Sequence, residues 1–132
     1  MVNRAAELSR RAHAGQFRRD GATPYIRHPE SVASRVAGDP IAEAVAWLHD
    51  VLEDTTMTVE TLREHQMPAE VIAGVITLTK NGEIGYEEYL LRVKADPVAR
   101  KVKVADMLAN LSDHPTERQI VKYAKGLLVL VG

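Results

Sequence analysis

The sequence predicts an all-α protein. Apolar residues recur at helical spacing through most of the chain, no segment gives a convincing alternating run, and the segments begin at helix-start signals. The pattern resolves into roughly seven helices of ordinary length, with no internal repeat. Residues 1–132 read as a single domain, long enough to bury a real core.

Residues 2–14 form the first expected helix, with Ala5, Leu8, Ala12 and His13 on its inner side. Gly15 to Thr23 is a polar loop punctuated by Gly15 and Gly21. In Pro24-Tyr25-Ile26-Arg27-His28-Pro29, the second proline suits the first turn of a helix running to about Ala37, which puts His28 just ahead of the helix start. Gly38-Asp39-Pro40 breaks the chain and opens a helix that Thr55 and Thr56 end; Ile41, Ala44, Val45, Leu48 and Leu52 trace its core-facing stripe. A short helix from about Thr58 to His65 precedes one begun by Pro68 and running to about Leu78. After the Asn81-Gly82 turn, Tyr86 to Ala95 is helical, with Tyr86, Leu90 and Val93 as its apolar set. Asp96 is an N-cap with proline behind it, opening a helix to about Ser112 whose buried stripe is Val98, Val102, Ala105 and Ala109. Thr116 to Gln119 fits a capping box for a last helix bearing Ile120, Tyr123, Ala124, Leu127 and Val131.

Composition removes several function classes. With no cysteine there is no disulfide framework, thiolate metal site or cysteine nucleophile, so any metal must be held by nitrogen and oxygen. The N-terminus has no apolar signal core, and the longest apolar run, Leu127 to Val131, is far too short to span a bilayer. The expected compartment is the cytoplasm, with no membrane partner. A net charge of −1 argues against a nucleic-acid partner. The charges are nevertheless segregated. Up to residue 35 the chain carries Arg4, Arg10, Arg11, Arg18, Arg19, Arg27 and Arg35 against three acidic residues, whereas residues 39–70 set eight acidic residues against Arg63 alone. An acidic segment folded against an arginine-rich one suits a cation and an anionic substrate held together.

The chemistry concentrates in Trp47-Leu48-His49-Asp50-Val51-Leu52-Glu53-Asp54. On a continuous helix Glu53 lies over His49 and Asp54 over Asp50. His49 falls within the core-facing stripe, and a buried histidine beside carboxylates needs a satisfied hydrogen-bond network or a metal ion. Outside this stretch stand His28, pinned between prolines; Asp106, beside the buried stripe of its helix, with Asn110 and Asp113 continuing that face; and Arg18-Arg19, whose guanidinium groups suit phosphate. Taken alone, His28 reads as a structural histidine. A mixed histidine–aspartate set suits manganese, iron, zinc, cobalt or magnesium and leaves positions open for water and a phosphoryl oxygen. Glu53 and Asp54, one turn away, have the reach of a base and an orienting group. His13 reads as a packing or supporting residue; His65 and His114 read as surface residues.

The order His28, His49-Asp50, Asp106 is similar to the metal-binding signature of the HD-domain metal-dependent phosphohydrolases. Five collinear blocks resemble more closely the hydrolase domain of RelA/SpoT-type enzymes and the small stand-alone alarmone hydrolases: Ala12-His13-Ala14-Gly15-Gln16-Phe17-Arg18-Arg19, Pro24 to Pro29, Leu48 to Thr55, Leu78-Thr79-Lys80, and Val102 to Leu111. The resemblance implies an all-α HD fold holding one divalent ion, manganese, on His28, His49, Asp50 and Asp106. It implies a guanosine-3′,5′-bis(diphosphate) 3′-pyrophosphohydrolase with Glu53 and Asp54 acting on the attacking water. Arg18 and Arg19 match a basic pair at the substrate's phosphates, and Asn110 and Asp113 match positions beside the nucleoside. Tyr25 and Thr79-Lys80 lie at family positions near the site and take structural roles. The departures fall in the substrate pocket: the loop between Arg19 and Pro24 is one residue longer than in the long bifunctional enzymes, Arg19 stands for a common lysine, Met107 for a common basic residue, and Asp113 where a small hydroxylated residue can occur. Two alternatives stay open, an HD phosphohydrolase for another nucleotide or dinucleotide phosphate, and a non-catalytic nucleotide-binding module. Also open is whether Leu127 to Val131 packs into the core or against a second subunit in a homo-oligomer.

Overall fold

The computed structural model describes residues 1–132 as nine helices with no strand: α1 Val2–Ala12, α2 Arg27–Arg35, α3 Pro40–Leu48, α4 Val51–Asp54, α5 Val59–Glu64, α6 Ala69–Leu78, α7 Tyr86–Lys94, α8 Pro97–Leu111 and α9 Glu117–Val131. No helix is long and apolar enough to cross a membrane.

α3 is the centre. It packs against α1, α2, α6 and α8. Ala42, Ala44, Val45, Ala46, Trp47 and Leu48 are all buried, so this helix is apolar nearly all round rather than striped, as a central helix must be. Ile41 and Leu52, expected on the core side, are only partly buried, while Val51 is fully buried. α6 comes close enough to α3 that a β-carbon at Gly74 would stand 2.9 Å from Val45 Cγ2. α8 closes a second side of α3, and α9 lies across α7 and α8.

The helix starts follow local chemistry. Asp39 accepts from Ala42 N, Asp96 from Val98 N and Ala99 N, and Thr116 and Gln119 close a reciprocal capping box. Each also precedes a segment that must bury a face, so cap and core agree.

Four expectations are corrected. The helix expected to run unbroken to Asp54 divides at His49-Asp50, which raises the helix count. The Ala46 carbonyl, which a continuing helix would offer to the Asp50 N–H, instead accepts the His49 Nδ1–H at 2.6 Å. A single turn, α4, resumes beyond it. α1 ends at Ala12 rather than residue 14; His13 is its C-cap, and the chain reverses through Gly15 at φ +80. His28 lies inside the first turn of α2, not ahead of it, because the turn at Pro24-Tyr25 already leads into the helix and Pro29 occupies a position whose N–H needs no partner. On α9 the buried residues are Gly126 and Leu130, with Tyr123 and Leu127 half-buried, whereas Ile120, Ala124 and Val131 are exposed. The reason is a close crossing. A β-carbon at Gly126 would stand 2.6 Å from Met107 Cε, so the glycine face is the one that meets α7 and α8. Leu130 enters the core, whereas Leu128 is 72% exposed.

Candidate metal centre and its cleft

Three separate elements bring ligand atoms to one point beside α3. α2 supplies His28, the break after α3 supplies His49 and Asp50, and α8 supplies Asp106. One ligand atom from each of His28, His49 and Asp106 lies within 4.8 Å of the others, and all three residues are buried. His28 Nε2 is 2.7 Å from Asp106 Oδ1, and His49 Nε2 is 3.5 Å from the same oxygen. Asp50 Oδ2 is 3.1 Å from His49 Nε2 and 3.9 Å from His28 Nε2. The break at His49-Asp50 makes this possible, since adjacent residues of a continuous helix point about 100° apart.

The arrangement fits a divalent ion on one specific observation. His49 Nδ1 donates to Ala46 O, which leaves Nε2 as the nitrogen that could bind a metal, and that buried Nε2 has no hydrogen-bond partner. Asp50 Oδ2 is near it but off the hydrogen-bond direction. Two imidazoles and two carboxylates form the mixed nitrogen/oxygen donor set of a borderline or hard metal.

Surrounding groups fix the two carboxylates. The Tyr25 hydroxyl donates to Asp50 Oδ2 at 2.6 Å. Lys103 Nζ donates to Asp106 Oδ2 at 2.9 Å, and Asn110 Nδ2 donates to Asp106 Oδ1 at 3.3 Å. Burial raises the Asp106 carboxyl, but Lys103 and then His28 and His49 outweigh it and hold the group well below the usual range. Burial likewise opposes the Lys103 charge, and Asp106 overrides it and raises the ammonium. Burial works against a charged His49 too, yet Asp50 and Asp106 hold its pKa well above normal. The Tyr25 phenol is raised by burial and then by Asp50, so it stays a donor. Asp50 resists burial through His49 and is lowered.

Glu53 and Asp54 stand on α4, more exposed than the His/Asp cluster. Glu53 accepts the Lys80 backbone N–H, and Asp54 lies at the end of the turn, where Gln16 Nε2 binds its carbonyl at 2.8 Å. Gln16 in turn meets His13 Nδ1 at 2.8 Å, so buried His13 braces the first loop against α4. Burial raises the pKa of Glu53 and of Asp54, and the nearby Asp50 charge adds to both shifts.

Arg18 lies beside Tyr25 and α8. Its Nη2 donates to Asn110 Oδ1 at 3.2 Å and reaches Asp113 Oδ2 at 3.5 Å, with its guanidinium 5.5 Å from the Tyr25 ring centroid. The Asp20 carboxylate accepts from Ala22 N, Thr23 N and Thr23 Oγ1, which shapes the loop that presents Arg18. Those bonds, the Thr23 hydroxyl first, lower the Asp20 pKa to about 2. Arg19 is exposed and lines a small hollow with Arg18, Asp113 and Gln119, without touching the metal-type cluster. Two residues acquire contacts that spacing alone did not assign, Tyr25 and Lys103. The only signal for Lys103 was its place one turn before Asp106; for Tyr25 it was its place between the prolines, ahead of His28.

No family model matches the chain. It is 47% identical over 78 residues to a guanosine-3′,5′-bis(diphosphate) 3′-pyrophosphohydrolase of Haemophilus influenzae, a match covering 55% of this chain and 11% of that protein. It is 37% identical over 120 residues to the human guanosine-3′,5′-bis(diphosphate) 3′-pyrophosphohydrolase MESH1, covering 83% of this chain and 66% of the human one. The fold superposes with a TM-score of 0.84 and 25% identity on the solved structure of a metazoan SpoT ortholog described as hydrolysing ppGpp, covering 99% of this chain and 85% of that one. The chain thus spans a small part of the long relative and about two-thirds of the short one. With the collinear motifs, the all-helical frame and the His/Asp cluster in place, the chain belongs to the HD-type hydrolase family of guanosine-3′,5′-bis(diphosphate) 3′-pyrophosphohydrolases.

Proposed function

We propose that the protein is a metal-dependent guanosine-3′,5′-bis(diphosphate) 3′-pyrophosphohydrolase. The observation that carries this reading is the convergence of His28, His49, Asp50 and Asp106 around an unpartnered His49 Nε2, with Arg18 bonded to Asn110 beside Asp106. The names of the relatives support the substrate. His28, His49, Asp50 and Asp106 would hold one divalent ion, manganese by family resemblance. Such an ion, when bound, lowers the pKa of water and neutralises charge on a phosphoryl oxygen.

The chain's own groups do the rest. Glu53, its pKa raised by burial, is a stronger base than an exposed glutamate and takes a proton from water, and Asp54 orients that water. Tyr25 and Lys103 keep Asp50 and Asp106 fixed while charge builds up. Arg18 pairs with the substrate's phosphates, Asn110 and Asp113 contact the nucleoside, and Arg19 adds charge at the mouth. The water oxygen bonds to the phosphorus attached to O3′, the P–O3′ bond breaks, O3′ takes up a proton, and pyrophosphate leaves with the new oxygen.

The test is release of inorganic pyrophosphate from the bis(diphosphate) by manganese-loaded protein, run beside a panel of other nucleotides and dinucleotide phosphates. His49→Ala and Asp106→Ala should each lower turnover by a factor on the order of 10³ or more, as loss of a metal ligand does. Bound metal measured by elemental analysis should fall with it. Turnover of a different nucleotide alone would replace the substrate, and no turnover of any by metal-loaded, folded protein would sink the enzymatic reading.

A further inference from the structure

Glu53 is carried by α4, a helix of only four residues. A single turn has too few internal bonds to hold its own place, so the base depends on its neighbours. Gln16 braces the turn at the Asp54 carbonyl. One further bond reaches Glu53 itself: the backbone N–H of Lys80 donates to Oε1, and no other protein group bonds to the carboxylate. Glu53 lines a cavity of about 530 Å³ beside the cluster, together with Lys80, Tyr89 and Lys103.

The Lys80 N–H can reach Glu53 because of how α6 ends. In a continuing helix it would donate to the Ile76 carbonyl, four residues back. The helix stops instead at Thr79, whose backbone is extended at φ −82 and ψ 113 and whose own N–H donates to the Val75 and Ile76 carbonyls. No glycine follows to end the helix in the left-handed conformation, so its last carbonyls need donors from elsewhere. α7 supplies them. The Tyr89 hydroxyl donates to Leu78 O at 2.6 Å, and Arg92 Nη2 donates to Thr77 O at 3.3 Å and Thr79 O at 3.2 Å. Tyr89 is 2% exposed whereas Arg92 lies on the surface, so the tyrosine bond is the firmer of the two. Burial pushes the Tyr89 phenol up to about 12, which keeps it a donor at neutral pH.

We infer that Tyr89 is a positioning residue for the hydrolysis: by capping the end of α6 it fixes the Lys80 N–H, and through that N–H the carboxylate of Glu53. Arg92 does the same more weakly. The inference rests on the hydrolase reading, in which Glu53 takes the proton of the attacking water. A general base works only within hydrogen-bond reach of that proton, and a displacement of about 1 Å can slow the reaction on the order of a hundredfold. Tyr89 acts here through the backbone, so its loss should slow the chemical step without loosening the hold on substrate.

The test pairs nuclear magnetic resonance of the metal-free 132-residue chain with steady-state kinetics of the manganese-loaded protein. The Lys80 amide proton should lie downfield, as a donor to a carboxylate does, and should move upfield in Glu53→Gln. Tyr89→Phe removes the hydroxyl but keeps the ring, whose centroid is 5.6 Å from Lys103 Nζ. It should move the same amide upfield and lower kcat about tenfold, with KM and manganese affinity held within about twofold. Arg92→Met, at a surface position, should move the amide the same way and lower kcat about threefold. Should Tyr89→Phe fail to fold, Arg92→Met decides alone. A Lys80 amide indifferent to both α7 changes, or a KM that rises while kcat holds, would overturn the positioning role. An amide that responds in a protein unable to hydrolyse the bis(diphosphate) would keep the brace and remove the hydrolase reading. Hydrolysis that continues at the parent kcat with the amide displaced would do the reverse.

Discussion

Lys103→Met tests the logic of the buried cluster most directly. The Lys103 ammonium is 2.9 Å from Asp106 Oδ2, its side chain is 16% exposed, and the carboxylate is 8% exposed. Removing one partner from a buried pair costs about 3–5 kcal/mol, because the other charge is left uncompensated. Asp106 keeps His28 at 2.7 Å and Asn110 at 3.3 Å, so the loss here should fall below that range, at about 2–3 kcal/mol. For a chain of this size that is a fall in Tm of roughly 10 °C. A divalent ion changes the sign of the effect. With Lys103 gone, Asp106 offers more negative charge to a cation, and a repulsion on the order of 3 kcal/mol per unit charge near 5 Å is relieved, less what solvent in the adjoining cavity screens. The variant should therefore be less stable without metal but bind manganese about tenfold more tightly. Thermal unfolding of metal-free and manganese-saturated protein, paired with a metal titration, reads both numbers. A variant as stable as the parent, or one that binds manganese more weakly, would refute the argument that Lys103 neutralises Asp106 and competes with the ion.

Three further predictions follow from the same structure. Leu130→Ala should cost about 2–5 kcal/mol in chemical denaturation, whereas Leu128→Ala two residues away should stay within about 0.5 kcal/mol, because one side chain is fully buried and the other 72% exposed. A similar cost at both positions would mean α9 presents another face to α7 and α8. The pH profile of turnover should have its acid limb above the ordinary glutamate value of 4.5, since burial and Asp50 raise Glu53 and the working base is the ionised form. The sign for stability is the opposite: a folded-state pKa raised above the unfolded one favours folding at low pH and is lost as pH rises through it. Glu53→Gln should thus abolish the activity without lowering stability at pH 7; a variant that unfolds more easily there would contradict the shift.

The sequence alone determined the local features of this protein. Asp39, Asp96 and Thr116 cap helices that begin where they were read, because a cap is decided by groups within three residues of each other. The all-helical class followed from periodicity, and the family from ordered motifs. Tertiary structure decided what spacing could not. His28 and Asp106 meet across 78 residues and Arg18 and Asn110 across 92, distances at which sequence offers residue types but no geometry. The buried face of α9 was decided by Gly126 fitting over Met107, a contact no single-helix pattern contains. The break at His49-Asp50 was decided by competition for one carbonyl: the His49 ring takes the Ala46 oxygen that the helix would have used, and the side chains that hold the cluster turn with it.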